Sequence, residues 1–180
     1  MITNNFKNLC ATLLESSLAY IGLLPVVDYR NRTWYASTHI GADNYYPVGP
    51  LVYAREYDYS PGISIGSGTR AESASDYELQ TPIFNGYTMT IDKSLGLDSG
   101  NPYLEFTISI ENTDSNSIMV SEIGYFQLVA VTQEQNVTDP YSRSANLMLD
   151  RTVLSTPVTI AAGETETIVY RLKTTLSSAS

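Results

Sequence analysis

The chain has 180 residues, enough for one hydrophobic core, and its formal net charge of −9, from ten basic and nineteen acidic side chains, opposes both a nucleic-acid backbone and an anionic bilayer. Cys10 is the single cysteine, so no internal disulfide and no cysteine-based metal site is expected. Charged residues make up only 16%; Ser, Thr, Asn and fourteen tyrosines fill the gap, a palette suited to pleated, half-buried surfaces.

Phe6, Leu9, Cys10, Leu13, Leu14, Leu18 and Ile21 recur at three-and-four spacing and predict one amphipathic N-terminal α-helix. Asn4 or Asn5 is placed to cap its start, and Gly22 and Pro25 end it. A stripe of that size requires a cover, either the rest of the protein or another subunit, which makes Phe6 and Leu13 candidate interaction residues. Lys7 is the only early positive charge and Glu15 interrupts the apolar run, a pattern unlike a secretory signal. Folding in a cytoplasm is the expectation.

The stretch up to Pro50 reads as irregular and rich in Tyr, Asn and Gly, so residues 1–50 are expected to form the helix and this segment, with a β-domain over 51–176. Trp34, Tyr45 and Tyr46, followed by Tyr53 and Tyr57 on the first expected strand, concentrate aromatic area with polar tips. Such side chains suit a protein interface or sugar stacking.

From Leu51 onward, short strands alternate with turn residues, the signature of an all-β sandwich or barrel. In "YLEFTISIEN" Leu104, Phe106, Ile108 and Ile110 alternate with polar residues, so one face is core and the other wet. "NTDSNS" predicts a hairpin turn into "IMVSEIGYFQLVAV", whose nearly continuous apolar run predicts a strand covered on both faces. "ANLMLDRTVLS", a short "PVTI", the Ala161 to Glu164 turn and "TIVYRLKT" complete the pattern. The expected fold is all-β: a jelly-roll-like β-sandwich of about seven or eight strands with one N-terminal helix.

Chemistry is sparse. Gly66-Ser67-Gly68-Thr69-Arg70 lacks the lysine and the following helix of a phosphate loop and the third glycine of a dinucleotide fingerprint, so its glycines are read as turn residues. His39, the only histidine, has no nucleophile elbow near it, and Cys10 falls on the apolar stripe. The carboxylate pairs Glu56 with Asp58 and Asp76 with Glu78 have strand-like spacing that also describes an ordinary wet face, and Glu111, Asp114 and Asn116 lack the bidentate glutamate of a calcium loop. No catalytic residue, cofactor or metal is expected.

Three stretches, "ISIGSGTRAESASDYELQTPI", "FTISIENTDSNSIMVSEIGYF" and "LMLDRTVLSTPVTIAAGETETIVYRL", resemble in that order segments of a family of small structural proteins encoded by tailed bacteriophages. The resemblance lies in the strings Asp76-Tyr77-Glu78-Leu79-Gln80-Thr81-Pro82-Ile83, Glu122-Ile123-Gly124-Tyr125-Phe126 and Leu149-Asp150-Arg151. It implies a β-scaffold in a virion, with other virion proteins and further copies of itself as partners, and it implies no chemistry. Within these strings Asp76 and Tyr77 are expected to fix a loop, Leu79 to plug one end of the sandwich and Pro82 to open a strand. Glu122 beside Gly124 suggests a bulge whose acid pairs with Arg151. A carbohydrate-binding sandwich for host attachment, with tyrosines as stacking platforms, is the alternative reading.

Overall fold

The computed structural model describes residues 1–7, 25–28, 30–36, 62–98, 101–132 and 143–173. They form an all-β fold of two antiparallel sheets: β1 (Pro25–Val27), β2 (Thr33–Ala36), β3 (Gly62–Gly66), β4 (Tyr87–Asp98), β5 (Asn101–Asn112), β6 (Ile118–Thr132), β7 (Arg143–Ile160) and β8 (Thr165–Lys173). Five strands make one sheet, ordered β1-β2-β6-β3 with β7 also on β6, and β4-β5-β8 make the other. Of the expected helix, one helical turn over residues 4–7 is described, and positions 8–24 lie outside the described residues, as does the strand expected from Leu51 to Tyr59.

The protein divides into two compact units, Met1–Phe84 with Ser121–Ser155, and Asn85–Val120 with Thr156–Ser180. The backbone passes between them at Phe84, within β6 and within β7.

In the first unit β6 is the hub, pairing with β2 near its end and with β3 through Gly62↔Phe126 to Gly66↔Glu122. Every residue of β6 from Val120 to Phe126 is buried, as its continuous apolar run requires. The β3 pairing is unbroken through Ser64↔Gly124, so there is no bulge at Gly124. Gly124 instead makes room: a Cβ there would lie 2.8 Å from the Phe126 ring and 2.9 Å from Leu79 Cδ2. Leu79, Phe126 and Met148 pack together, so Leu79 does plug the core.

The segment expected to be irregular contains the hairpin β1-β2, in which Trp34 lies opposite Val26. Asp28 builds its turn by accepting from the Arg30 and Arg32 backbone N–H groups and from the Arg32 guanidinium, with Asn31 at φ 57°. Asn5 does not cap the helical turn. Its amide exchanges two hydrogen bonds with the Val27 backbone, 2.6 and 2.7 Å, as a strand neighbour would, and also donates to Met148 O.

In the second unit β5 and β8 show the expected alternation. Phe106, Ile108, Ile110, Ile168, Tyr170 and Leu172 are buried, and Phe106 stacks on Tyr170 at 5.7 Å between centroids. β4 has no clear strand signature in the sequence, yet it pairs with β5 along its whole length. On the wet face the Tyr103 ring lies across Gly96, which has no Cβ to obstruct it, and the Arg171 guanidinium stands 4.9 Å from the ring centroid while pairing with Glu105.

The turn after β5 is not a hairpin, because β5 belongs to the three-stranded sheet and β6 to the five-stranded one. It is a corner built on Asn112. Fully buried, Asn112 donates Nδ2 to Asn116 O at 2.8 Å and to Ile160 O at 2.9 Å, and its Oδ1 accepts from Asp114 N. Its backbone is bonded to Glu164 and Gly163, so one residue ties the turn after β5 to the turn before β8. Pro157 does not interrupt the strand there: "ANLMLDRTVLS" and "PVTI" are one strand, β7.

Asn112→Ala should destabilise the protein by about 2–4 kcal/mol, because it strands buried backbone partners, and Asn112→Asp should cost at least as much by setting an acceptor against two carbonyls; urea unfolding measures both. Burial raises the phenol pKa of Tyr125 and of Tyr87 above 10.0. Folding therefore favours the protonated phenol. That stabilisation is complete below the unfolded value and is lost as pH rises through the native one. Phenolate absorbance should show a late-titrating fraction, and Tyr125→Phe should remove part of it.

Candidate functional site

Residues from the strings Asp76 to Ile83, Glu122 to Phe126 and Leu149 to Arg151 converge on one buried cluster in the first unit. Glu122 comes from β6, Arg151 from β7, and Gly66 ends β3; Gly68, Arg70, Asp76 and Gln80 lie on the connection that follows. Arg151 and Glu122 are completely buried, and the Asp76 side chain nearly so.

All three guanidinium nitrogens of Arg151 are engaged. Nε donates to Glu122 Oε2 at 2.8 Å, Nη2 lies 2.8 Å from the same oxygen and donates to Arg70 O at 3.1 Å, and Nη1 donates to Asp76 Oδ2 at 2.9 Å and to Ala71 O at 3.5 Å. Burial alone would lower the guanidinium pKa; the hydrogen bonds and charges of Glu122 and Asp76 outweigh it, and the pKa is raised. Arg151 is a permanent cation.

The glycine loop answers Glu122 from the other side. Glu122 Oε1 accepts from Gly68 N at 3.1 Å and Thr81 N at 2.8 Å, and Oε2 accepts from Gln80 N at 3.1 Å. A Cβ on Gly66 would fall 2.6 Å from this carboxylate, and one on Gly68 2.5 Å. The loop that looks like a phosphate cradle is thus an anion cradle, and its anion is the protein's own side chain. Gln80 Oε1 accepts from Arg70 N at 2.6 Å.

Asp76 completes the charge balance. Its Oδ1 pairs with Arg70 Nη2 at 2.7 Å and its Oδ2 also accepts from Ser73 N, so two cations face two carboxylates. The expected Glu122–Arg151 pair and the loop-fixing role of Asp76 are therefore both observed; Arg70, Gly68 and the backbone of 80–81 are members that the sequence pattern does not announce. Pro82 opens no long strand. It makes an isolated bridge to Gly66, and β4 begins at Tyr87.

Of the expected interaction residues, Phe6 and Trp34 fall among the described residues. Phe6 is partly exposed in the helical turn and Trp34 lies in β2, while Leu13, Tyr45, Tyr46, Tyr53 and Tyr57 lie outside the described residues, as do Cys10, His39, Glu56 and Asp58. Asp76 and Glu78 do not share a face, one being buried and the other exposed. Glu111 accepts from Thr88 Oγ1, and Asp114 Oδ1 accepts from Ser115 N within its own turn. Among the described residues no group of His, Cys, Asp and Glu is arranged to hold a metal ion.

No known protein family, curated protein or solved structure matches the sequence or the fold.

Removing one member of a buried ion pair leaves the other uncompensated, so Arg151→Leu should cost about 3–5 kcal/mol. Glu122→Gln should cost less but remain clearly destabilising, since an amide cannot accept from all five donors now aimed at the carboxylate. Gly68→Ala should cost about 1–3 kcal/mol by pushing the carboxylate off its donors. Guanidinium unfolding of the three variants, with an unchanged slope, tests the series.

Proposed function

We propose that the protein is a non-enzymatic structural component of a tailed bacteriophage virion, at the neck, along the tail or on the capsid surface, that works through protein–protein contacts. The observation that carries this reading is the engagement of the Arg151 cluster: every guanidinium nitrogen and both Glu122 oxygens are bonded within the protein. These are the residues on which the resemblance to phage structural proteins rests, and their work is to hold a loop to a sheet. A group used for proton transfer or substrate binding would keep a polar valence for its ligand.

Virion parts occur in many copies on symmetric platforms, so further copies of this protein and other virion proteins are the partners. The glycan alternative gains nothing from Tyr103, whose ring is already taken by Arg171.

Particles purified on a density gradient should contain peptides of this protein in fixed ratio to the other particle proteins. Recovery only in the soluble fraction would overturn the proposal. Light scattering on the purified protein should report a mass above that of the monomer, and a glycan array should show no binding.

A further inference from the structure

We propose that Asn85 is a site of spontaneous covalent modification, at which its side-chain amide becomes a carboxylate through a cyclic imide formed with Gly86. Asn85-Gly86 is the only Asn-Gly step in the sequence. Asn85 is exposed, and Gly86 adopts φ 80°, a conformation open to glycine and costly for residues with a Cβ. With no Cβ, Gly86 leaves the approach of its own nitrogen to the Asn85 side chain unobstructed. A Cβ there would also press on Asp114, 3.1 Å from Oδ2, so the fold keeps glycine at this position for its own reasons.

Neighbouring asparagines show what protection looks like. Asn112 is fully buried with both its amide oxygen and nitrogen bonded, and the Asn5 amide is locked to Val27. Asn116 and Asn31 are exposed, but each is followed by a residue with a side chain, Ser117 and Arg32. Asn85 combines exposure with a following glycine. The Gly86 carbonyl accepts from Thr113 N and Asp114 N, which anchors the far side of the residue while the reacting bond lies on the near side.

The step balances without any outside oxidant or reductant. The Gly86 nitrogen, having given its proton to solvent base, attacks Asn85 Cγ; the new C–N bond forms, and the Cγ–Nδ2 bond breaks to release ammonia. Water then opens the five-membered imide at either carbonyl, giving aspartate or isoaspartate. Either product adds one negative charge, at the residue before the glycine that Asp114 approaches, to a protein already at −9. Isoaspartate also reroutes the backbone through the former side chain and lengthens it by one methylene. That change falls where the backbone leaves the first unit at Phe84 and enters the second at Asn85.

The test is incubation of the full-length protein at mildly alkaline pH, native and urea-unfolded in parallel, followed by peptide mapping with fragmentation that separates aspartate from isoaspartate. The expected result is conversion of Asn85 ahead of every other described asparagine, faster at higher pH, with both products present and no conversion at that position in Asn85→Gln. Native conversion should stay within about tenfold of the unfolded rate, since an open site needs no unfolding step to react. A larger slowing in the native protein, or earlier conversion of another described asparagine, overturns the proposal.

Discussion

The first unit depends on a single constraint: the guanidinium of Arg151 is completely buried, so the protein itself must satisfy five donors and one charge. Two carboxylates do most of this, and each carboxylate then has its own oxygens to satisfy. Glu122 recruits the backbone of the glycine loop, and Asp76 recruits Arg70 and Ser73. A half-satisfied buried network is worse than an apolar core, so its members stand or fall together. Loop, strand and ion pair are one device. Leu79, carried on the same loop, is placed against Phe126 and Met148 as a consequence of that anchoring.

The glycines follow from the same constraint. Gly66 and Gly68 look like places where the backbone turns, but they are places where a carboxylate must come close. Gly124 serves the other side of the strand by admitting Leu79 and Phe126. Gly96, in the second unit, admits the Tyr103 ring in the same way. Glycine in these strands therefore marks what lies above it.

Several parts of this architecture are legible in the sequence. The alternation of β5 and β8 is a period-two signal with a buried and a wet face, and the unbroken apolar run of β6 marks a strand covered on both sides. The Glu122–Arg151 pair is legible as an acid and a base in two of the three strings, although the bulge expected with it at Gly124 is absent. β4 escapes such a reading because Asp92, Lys93, Ser94 and Gly96 break its apolar rhythm, and because Leu95 and Leu97, which would ordinarily signal a core, are 84% and 73% exposed. The corner at Asn112 resembles a hairpin in sequence because turn chemistry is local, whereas the choice of sheet for the next strand is set by long-range pairing. The cradle at Gly68 is invisible for the same reason, its acceptor lying 54 residues away.

The buried pairings have a bearing on the order in which the structure forms. Arg151 meets Glu122 across 29 residues, Asp76 across 75 and the Arg70 carbonyl across 81. Synthesis proceeds from the N-terminus, so the glycine loop and Glu122 leave the ribosome well before their cation does. Until then a carboxylate held in the cradle would be a desolvated charge without a counter-ion, and the nascent segment gains more by leaving it in water. Consolidation of the first unit is thereby tied to the arrival of one residue translated after the loop and Glu122, and a product truncated before Arg151 lacks the charge that seals its own loop.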